Sequence, residues 1–235
     1  MSSIVSEHDS EIANDEGDIA PILKDKQYRQ RWISEINEKF TADTHPYLAG
    51  VHMETHHLIT SKAANSCFVA KILSREGYDI NLLPNLAGFP ATLPGACHLG
   101  IQLHRGSHPD RNIDPKAYHK VVERMINENA AEFDVCNKNY SDSARKANVH
   151  KEADEISAQV LKKILNFELR LTYIHDYFKN GGDGCCNVHN IGPARKASRL
   201  ACKKTGRNHI GETITNRNET KTINWSGGWT PKIGA

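Results

Sequence analysis

Two stretches decide how this chain is read: Glu54-Thr55-His56-His57-Leu58-Ile59-Thr60, and downstream His104-Arg105-Gly106-Ser107-His108-Pro109. Histidine is the commonest metal-binding side chain and works as an acid or base near neutral pH with little tuning. The four imidazoles supply three ligands for a divalent ion and one ring left over as a base. An adjacent pair in an extended segment sends its rings to opposite sides, so one member can face a metal and the other an attacking water. His104 and His108 are spaced like neighbours on one helical face. Gly106 and Pro109 argue against a helix there, because proline pushes the residue before it toward extended backbone. The two rings can still meet on one ion if the chain turns between them. Three ligands and a free base are the minimum needed to cut a phosphodiester.

Outward from these stretches the chain is mostly helical. Trp32, Ile33, Ile36 and Phe40 give residues 28–40 an amphipathic pattern, broken over 41–46. Residues 49–59 read as the extended segment that delivers the histidine pair. Thr60 or Ser61 caps a helix over about 62–75, ended by Gly77, and its Phe68, Val69, Ile72 and Leu73 are expected to pack behind that segment. Residues 78–86 read as a short strand or irregular run, and 88–100, with two prolines and three glycines, as a loop. Asp114-Pro115 marks a helix start, with the helix running to about Phe133 and burying Val121, Val122, Met125 and Ile126. Residues 143–178 carry one long apolar stripe of Ile156, Val160, Ile164, Phe167, Leu171, Ile174 and Phe178, with an interruption near Asn148 left open, and Gly181-Gly182 closes it. A further short helix is expected over 194–204, followed by a polar tail containing Trp225 and Trp229.

The chain has 235 residues, 38% of them hydrophobic and 25% charged, which suits one sizeable folded domain or two small ones. No apolar stretch is long enough to span a bilayer, and the N-terminus carries no basic-then-apolar signal segment. The net charge of +2 is unevenly placed: the first 20 residues hold six acids and no Lys or Arg, and residues 191–235 hold nine basic residues against two acidic. The expected division is a disordered acidic head (1–20), a core with an N-terminal helix (21–135), a long bracing helical region (136–182) and a basic extension (183–235). Arg195, Lys196, Arg199, Lys203 and Lys204 of that extension are candidates to lie along a phosphate backbone. The six cysteines form no evident disulfide framework. Cys185-Cys186-x2-His189, with Cys202 and His209 beyond it, matches no familiar zinc spacing and reads as plain thiols.

The segments His56-His57-Leu58-Ile59, Leu83-Pro84 and His104-x-Gly106-x-His108-Pro109 resemble the AHH family of HNH/endonuclease VII (ββα-metal) nucleases, over roughly residues 50–130. The resemblance implies an α+β, mostly helical fold: a ββα-metal, HNH-like nuclease core with additional flanking helices. It also implies that His56 binds the metal, His57 is the general base, and His104 and His108 complete the metal site. Thr55 stands where the name-giving alanine is expected. The family's Asn-Gly-x-x-Leu-Pro segment reads Asp79-Ile80-Asn81-Leu82-Leu83-Pro84, so the asparagine that orients the base is Asn81, Asn85 or neither. Asn81 is the preferred side chain, with a backbone carbonyl as its rival, and Arg105 stands where it can grip a non-bridging phosphate oxygen.

One divalent ion is therefore expected. Imidazole ligation favours Zn²⁺ or Ni²⁺, with Mg²⁺ or Mn²⁺ as the working metal if Glu54 joins the ligands. His98 and Asp79 are weaker candidates, and His119, His150 and His175 read as structural. The reading is a metal-dependent endonuclease acting on DNA. The family implies use as a secreted antibacterial toxin, with an immunity protein and a secretion-system carrier or chaperone as partners. It is expected in the cytoplasm of the producing cell, with delivery into a target cell's cytoplasm that needs no signal peptide. The alternatives are an RNA-specific nuclease of the same fold and a non-enzymatic, metal-stabilised nucleic-acid- or protein-binding module.

Overall fold

A computed structural model describes residues 21–105, 108, 117–133, 141–185, 207–211, 213–216 and 219–235. Its centre is a two-stranded antiparallel sheet of β1 (Met53–His57) and β2 (Leu86–Pro90), in which His56 lies opposite Ala87 and His57 opposite Leu86. Residues paired directly across an antiparallel sheet share a face. One face therefore carries Glu54, His56, Ala87 and Phe89, and the other Met53, Thr55, His57, Leu86 and Gly88.

Helix α1 (Tyr28–Lys39) covers the second face with Trp32 and Ile36, both fully buried. Gly88 makes that approach possible, because a Cβ there would lie 2.3 Å from the Trp32 ring. The first face packs into a larger core shared with α2 (Ser61–Ser66), α3 (Ala70–Arg75), α5 (Tyr118–Glu128), α6 (Ala130–Phe133) and α7 (Asp142–Leu165). The small two-stranded sheet with helices packed against it agrees with the expected ββα-metal, HNH-like core with flanking helices.

Several elements differ from the sequence expectation. The helix expected over 62–75 is two short helices. Thr60 caps the first by accepting from the Ala63 amide, but the chain is extended at Cys67, and Phe68 is left 86% exposed. Phe68 thus lies outside the core, whereas Val69 and Leu73 are buried in it. The loop expected over 88–100 is the end of β2 and then α4 (Leu93–Leu99). Its prolines and glycines are helix punctuation: Thr92 caps the N-terminus by accepting from Gly95, Pro94 sits in the first turn, and Gly100 ends the helix at φ 68°.

The long helical run stops at Leu165, with no break at Asn148. Phe167 takes a positive φ of 61°, a left-handed conformation that continues no α-helix, so Leu171, Ile174 and Phe178 are buried from turns and a short 3₁₀ stretch (His175–Tyr177). The C-terminal residues also enter the core. After the hairpin β3 (Thr213–Asn216) and β4 (Glu219–Thr222), Ile223 and Trp225 bury against α1. The last residues then extend the sheet past β2: the Gly88 amide donates to the Ala235 carbonyl at 3.0 Å, and the Gly234 amide donates to the Leu86 carbonyl. Asp114-Pro115, the 194–204 helix, Cys186, His189, Cys202 and the acidic head all fall outside the described residues. Among the described residues, no helix is long and apolar enough to cross a membrane.

Candidate active site

Strand alternation splits the adjacent histidines between the two faces of β1. His56 turns toward α5 and His57 toward α1. His104 reaches the His56 side because the chain, after α4, returns to the end of β2, where the His104 amide donates to the Pro90 carbonyl at 3.0 Å. The buried Gln102 ties this return to the end of α7. Its Nε2 donates to the carbonyls of Ile164 and Leu169, and its Oε1 accepts from the Leu171 amide.

His56, His104 and His108 converge, each offering a ring nitrogen within 4.8 Å of the other two. His56 Nδ1 lies 3.2 Å from His104 Nε2, close to the ~3.3 Å edge expected for two imidazole nitrogens on a tetrahedral ion at ordinary zinc–nitrogen distances. Two of the far nitrogens have hydrogen-bond partners and the third lies beside a carboxylate. Tyr118 donates its hydroxyl proton to the Leu58 carbonyl at 2.8 Å, so its oxygen accepts from His56 Nε2, also at 2.8 Å. His104 Nδ1 stands 3.3 Å from Glu54 Oε2, and His108 Nδ1 faces the Leu171 carbonyl at 3.4 Å. The hydrogen bonds of His56 and His108 set the proton on the outer nitrogen and leave the inner lone pair for the shared centre, as in metal-binding histidines generally, whereas His104 Nδ1 lies buried beside the Glu54 carboxylate without a hydrogen bond. Burial and the neighbouring imidazoles of His104 and His108 hold His56 well below its ordinary pKa, and burial pushes His108 down to about 3. Both rings are therefore neutral and can offer lone pairs at neutral pH. The donor set fits a divalent transition ion.

On the other face, His57 Nε2 lies 3.1 Å from Asn81 Oδ1. The amide orientation of Asn81 is fixed by its other contacts: Nδ2 donates to the Leu23 carbonyl and to Asp79 Oδ1, and Oδ1 accepts from the Asp25 amide. Asn81 thus presents an acceptor, which places the His57 proton on Nε2 and leaves a lone pair on Nδ1. Burial lowers the His57 pKa to about 4, the Asn81 contact opposing the shift, so the ring is neutral at physiological pH. Asn85, the other asparagine in question, is committed elsewhere. It accepts from the Ile59 amide and the Ser157 hydroxyl and donates to the carbonyls of Ile59 and Ile80, locking the end of β1 to α7.

Residues 37–163 match AHH, described as a nuclease family of the HNH/ENDO VII superfamily with conserved AHH. That span exceeds half of the 235-residue chain. The chain belongs to the AHH nuclease family. As an AHH nuclease it is classed among the phosphodiester hydrolases, and the family match takes in nearly all of α7 as well as the histidine segments. No curated protein and no solved structure matches the sequence. Thr55 fills the position of the name-giving alanine in this AHH nuclease; it is buried opposite Gly88, on the face away from His56.

Arg105 directly follows His104 and is half-buried. Arg195, Lys196, Arg199, Lys203 and Lys204 lie outside the described residues. His98 is not in the three-histidine group, since its Nδ1 accepts from the His209 amide at 3.0 Å. His119 borders that group: its Nδ1 lies 2.8 Å from Thr60 Oγ1, and its ring stands edge-on to His108. Sequence reasoning missed Tyr118, Gln102 and the contact of Glu54 with His104. Nothing local marks them, because Tyr118 is 62 residues from His56 and Gln102 is 69 from Leu171. A second cluster, Cys97, Cys185 and His209, also brings its ligand atoms within 4.8 Å of one another, so the described residues hold two groups able to take a metal.

Proposed function

We propose that this AHH nuclease is a metal-dependent endonuclease that hydrolyses DNA, with His56, His104 and His108 as metal ligands and His57 as general base. The reading rests on one observation above all. One ring nitrogen from each of the three imidazoles lies within 4.8 Å of the other two, while His56 and His108 are hydrogen-bonded on their far sides to Tyr118 and the Leu171 carbonyl and His104 Nδ1 lies beside the Glu54 carboxylate. Three histidines used only to hold the fold need no such convergence. A divalent ion held there supplies Lewis-acid stabilisation of charge on the scissile phosphate. Glu54, engaged with His104 Nδ1, acts behind that ligand, which favours an all-imidazole donor set and hence Zn²⁺ or Ni²⁺ over Mg²⁺ or Mn²⁺.

His57 Nδ1 takes a proton from the attacking water as the water oxygen bonds to phosphorus. The bond from phosphorus to the 3′ oxygen breaks, and that oxygen leaves to be protonated from solvent. Asn81 holds the opposite ring proton, keeping the accepting nitrogen aimed and stabilising the imidazolium that forms. Arg105, next to His104 in the chain, grips a non-bridging oxygen, and the 195–204 basic stretch follows the substrate backbone. Family membership favours an antibacterial toxin role. Partners would then be an immunity protein, acidic where it faces the basic substrate surface, and a carrier or chaperone for delivery.

Supercoiled plasmid and a matched single-stranded RNA, each incubated with the protein under a panel of divalent metals with and without chelator, test the reading. Expected is nicking of the plasmid that chelator abolishes, leaving 5′-phosphate ends. Cleavage of the RNA alone, or substrate binding without turnover under every metal, contradicts it.

A further inference from the structure

We propose that Cys97, Cys185 and His209 bind a structural Zn²⁺ ion, separate from the nuclease centre, that clasps the C-terminal segment onto α4. The three residues come from remote parts of the chain: α4, the turn after the 3₁₀ stretch, and the segment that leads into the C-terminal hairpin. All three are fully buried, and neither cysteine is in a disulfide. Their ligand atoms lie within 4.8 Å of one another, and Cys185 Sγ is 3.3 Å from His209 Nε2. An edge of ~3.6 Å is expected between a thiolate sulfur and an imidazole nitrogen on one tetrahedral zinc ion.

Chemistry and surroundings select the ion. Two sulfurs and an imidazole form a borderline-soft donor set that suits zinc and offers nothing to Mg²⁺ or Ca²⁺. The two cysteines are packed among Leu93, Ala96, Leu103, Ile174 and Phe178. A substrate cannot reach the group through that shell, so the ion acts on the fold and not on chemistry. The fourth position of a tetrahedral ion is left to a donor other than these three.

The neighbouring contacts show what the ion would secure. The His209 amide donates to His98 Nδ1, one residue beyond Cys97. The Arg207 guanidinium caps the carbonyls of Phe178, Lys179 and Gly182 in the turn before Cys185. These contacts tie the same three segments, and beyond His209 the chain goes on to complete the sheet beside β2. The clasp therefore fixes α4, which precedes His104, to the part of the chain that closes the sheet.

Cobalt substitution in the wild-type protein tests this directly. Imidazole ligands at the nuclease centre give Co²⁺ no thiolate charge transfer, so a near-ultraviolet sulfur-to-cobalt band reports the cysteine site alone. Expected is one equivalent of Co²⁺ that produces this band and is displaced by Zn²⁺. The band should vanish or be sharply reduced in Cys97→Ser and in Cys185→Ser but persist in His56→Ala. Should the serine variants fail to fold, differential alkylation of the wild type serves in their place: Cys97 and Cys185 should be protected in zinc-loaded protein and modified once chelator is added. The proposal is overturned by absence of the band, by a band unchanged in both serine variants, by alkylation indifferent to zinc, or by recovery of Cys97 and Cys185 as a disulfide. Plasmid nicking is not among these readouts, so the clasp and the nuclease mechanism stand or fall separately.

Discussion

Asn81 turns its carboxamide oxygen to His57 Nε2 at 3.1 Å and has both amide hydrogens committed elsewhere, to Asp79 and to the Leu23 carbonyl. The contact gives His57, the base in the proposed mechanism, a fixed tautomer and direction. Asn81→Ala is therefore expected to lower turnover roughly 10- to 100-fold while metal affinity stays near wild type. Asn81→Asp, which keeps an acceptor, should restore part of the loss. Single-turnover nicking rates beside calorimetric metal titrations check this, and wild-type turnover in Asn81→Ala would remove Asn81 from the mechanism.

The pH dependence follows from the direction of the His57 shift. Burial lowers its pKa to about 4, so the neutral, proton-accepting form predominates above that value and is lost as pH falls through it. The acid limb of kcat/KM, which reports the free enzyme, should lie near that value and well below the ordinary histidine range. Metal-free protein carries the matching stability effect. Because the folded pKa is depressed, the stabilisation is fully present above the unfolded value near 6.5 and is lost as pH falls toward about 4. An acid limb at the ordinary histidine pKa would show a base open to water.

Tyr118 sets the tautomer of His56 through a single relay, donating to the Leu58 carbonyl and accepting from His56 Nε2. Tyr118→Phe keeps the ring that stacks on His108 but removes the acceptor. Metal affinity should fall about 10- to 100-fold, with thermal stability of the metal-free protein changed far less. Equal affinities in a direct titration of the two proteins would show that His56 needs no such partner.

How much was legible in the sequence depends on range. Thr60 as a cap, the extended delivery of His56-His57 and the buried side of α5 were readable, because caps and periodicity are local signals. The prolines and glycines of 88–100 misled, since Pro94 and Gly100 punctuate a helix as readily as they break one. The apolar stripe past Leu165 ran on at helical spacing, yet Phe167 turns the chain and buries the later members from turns. Tyr118, Gln102 and the meeting of His209 with Cys185 and with His98 depend on contacts 24 to 111 residues apart, for which spacing carries no signal.

The basic stretch Arg195, Lys196, Arg199, Lys203 and Lys204 is expected to supply sequence-independent grips on the phosphate backbone. Neutralising all five should weaken DNA binding and flatten the dependence of log affinity on log salt. The slope should shrink in magnitude by about 0.7 to 0.9 for every phosphate no longer neutralised, with metal affinity unchanged. Binding measured across a salt series checks this. An unaltered slope would move the substrate surface to the neighbourhood of Arg105.

The division of labour between the two faces of β1 is tested most directly by measuring metal affinity and turnover on the same preparations of His57→Ala and His104→Ala. His57→Ala should bind metal within a few-fold of wild type yet turn over about 100-fold or more slowly. His104→Ala should lose both together. Loss of metal binding in His57→Ala, or wild-type nicking that survives in both variants, would contradict the assignment of one histidine to the proton and three to the ion.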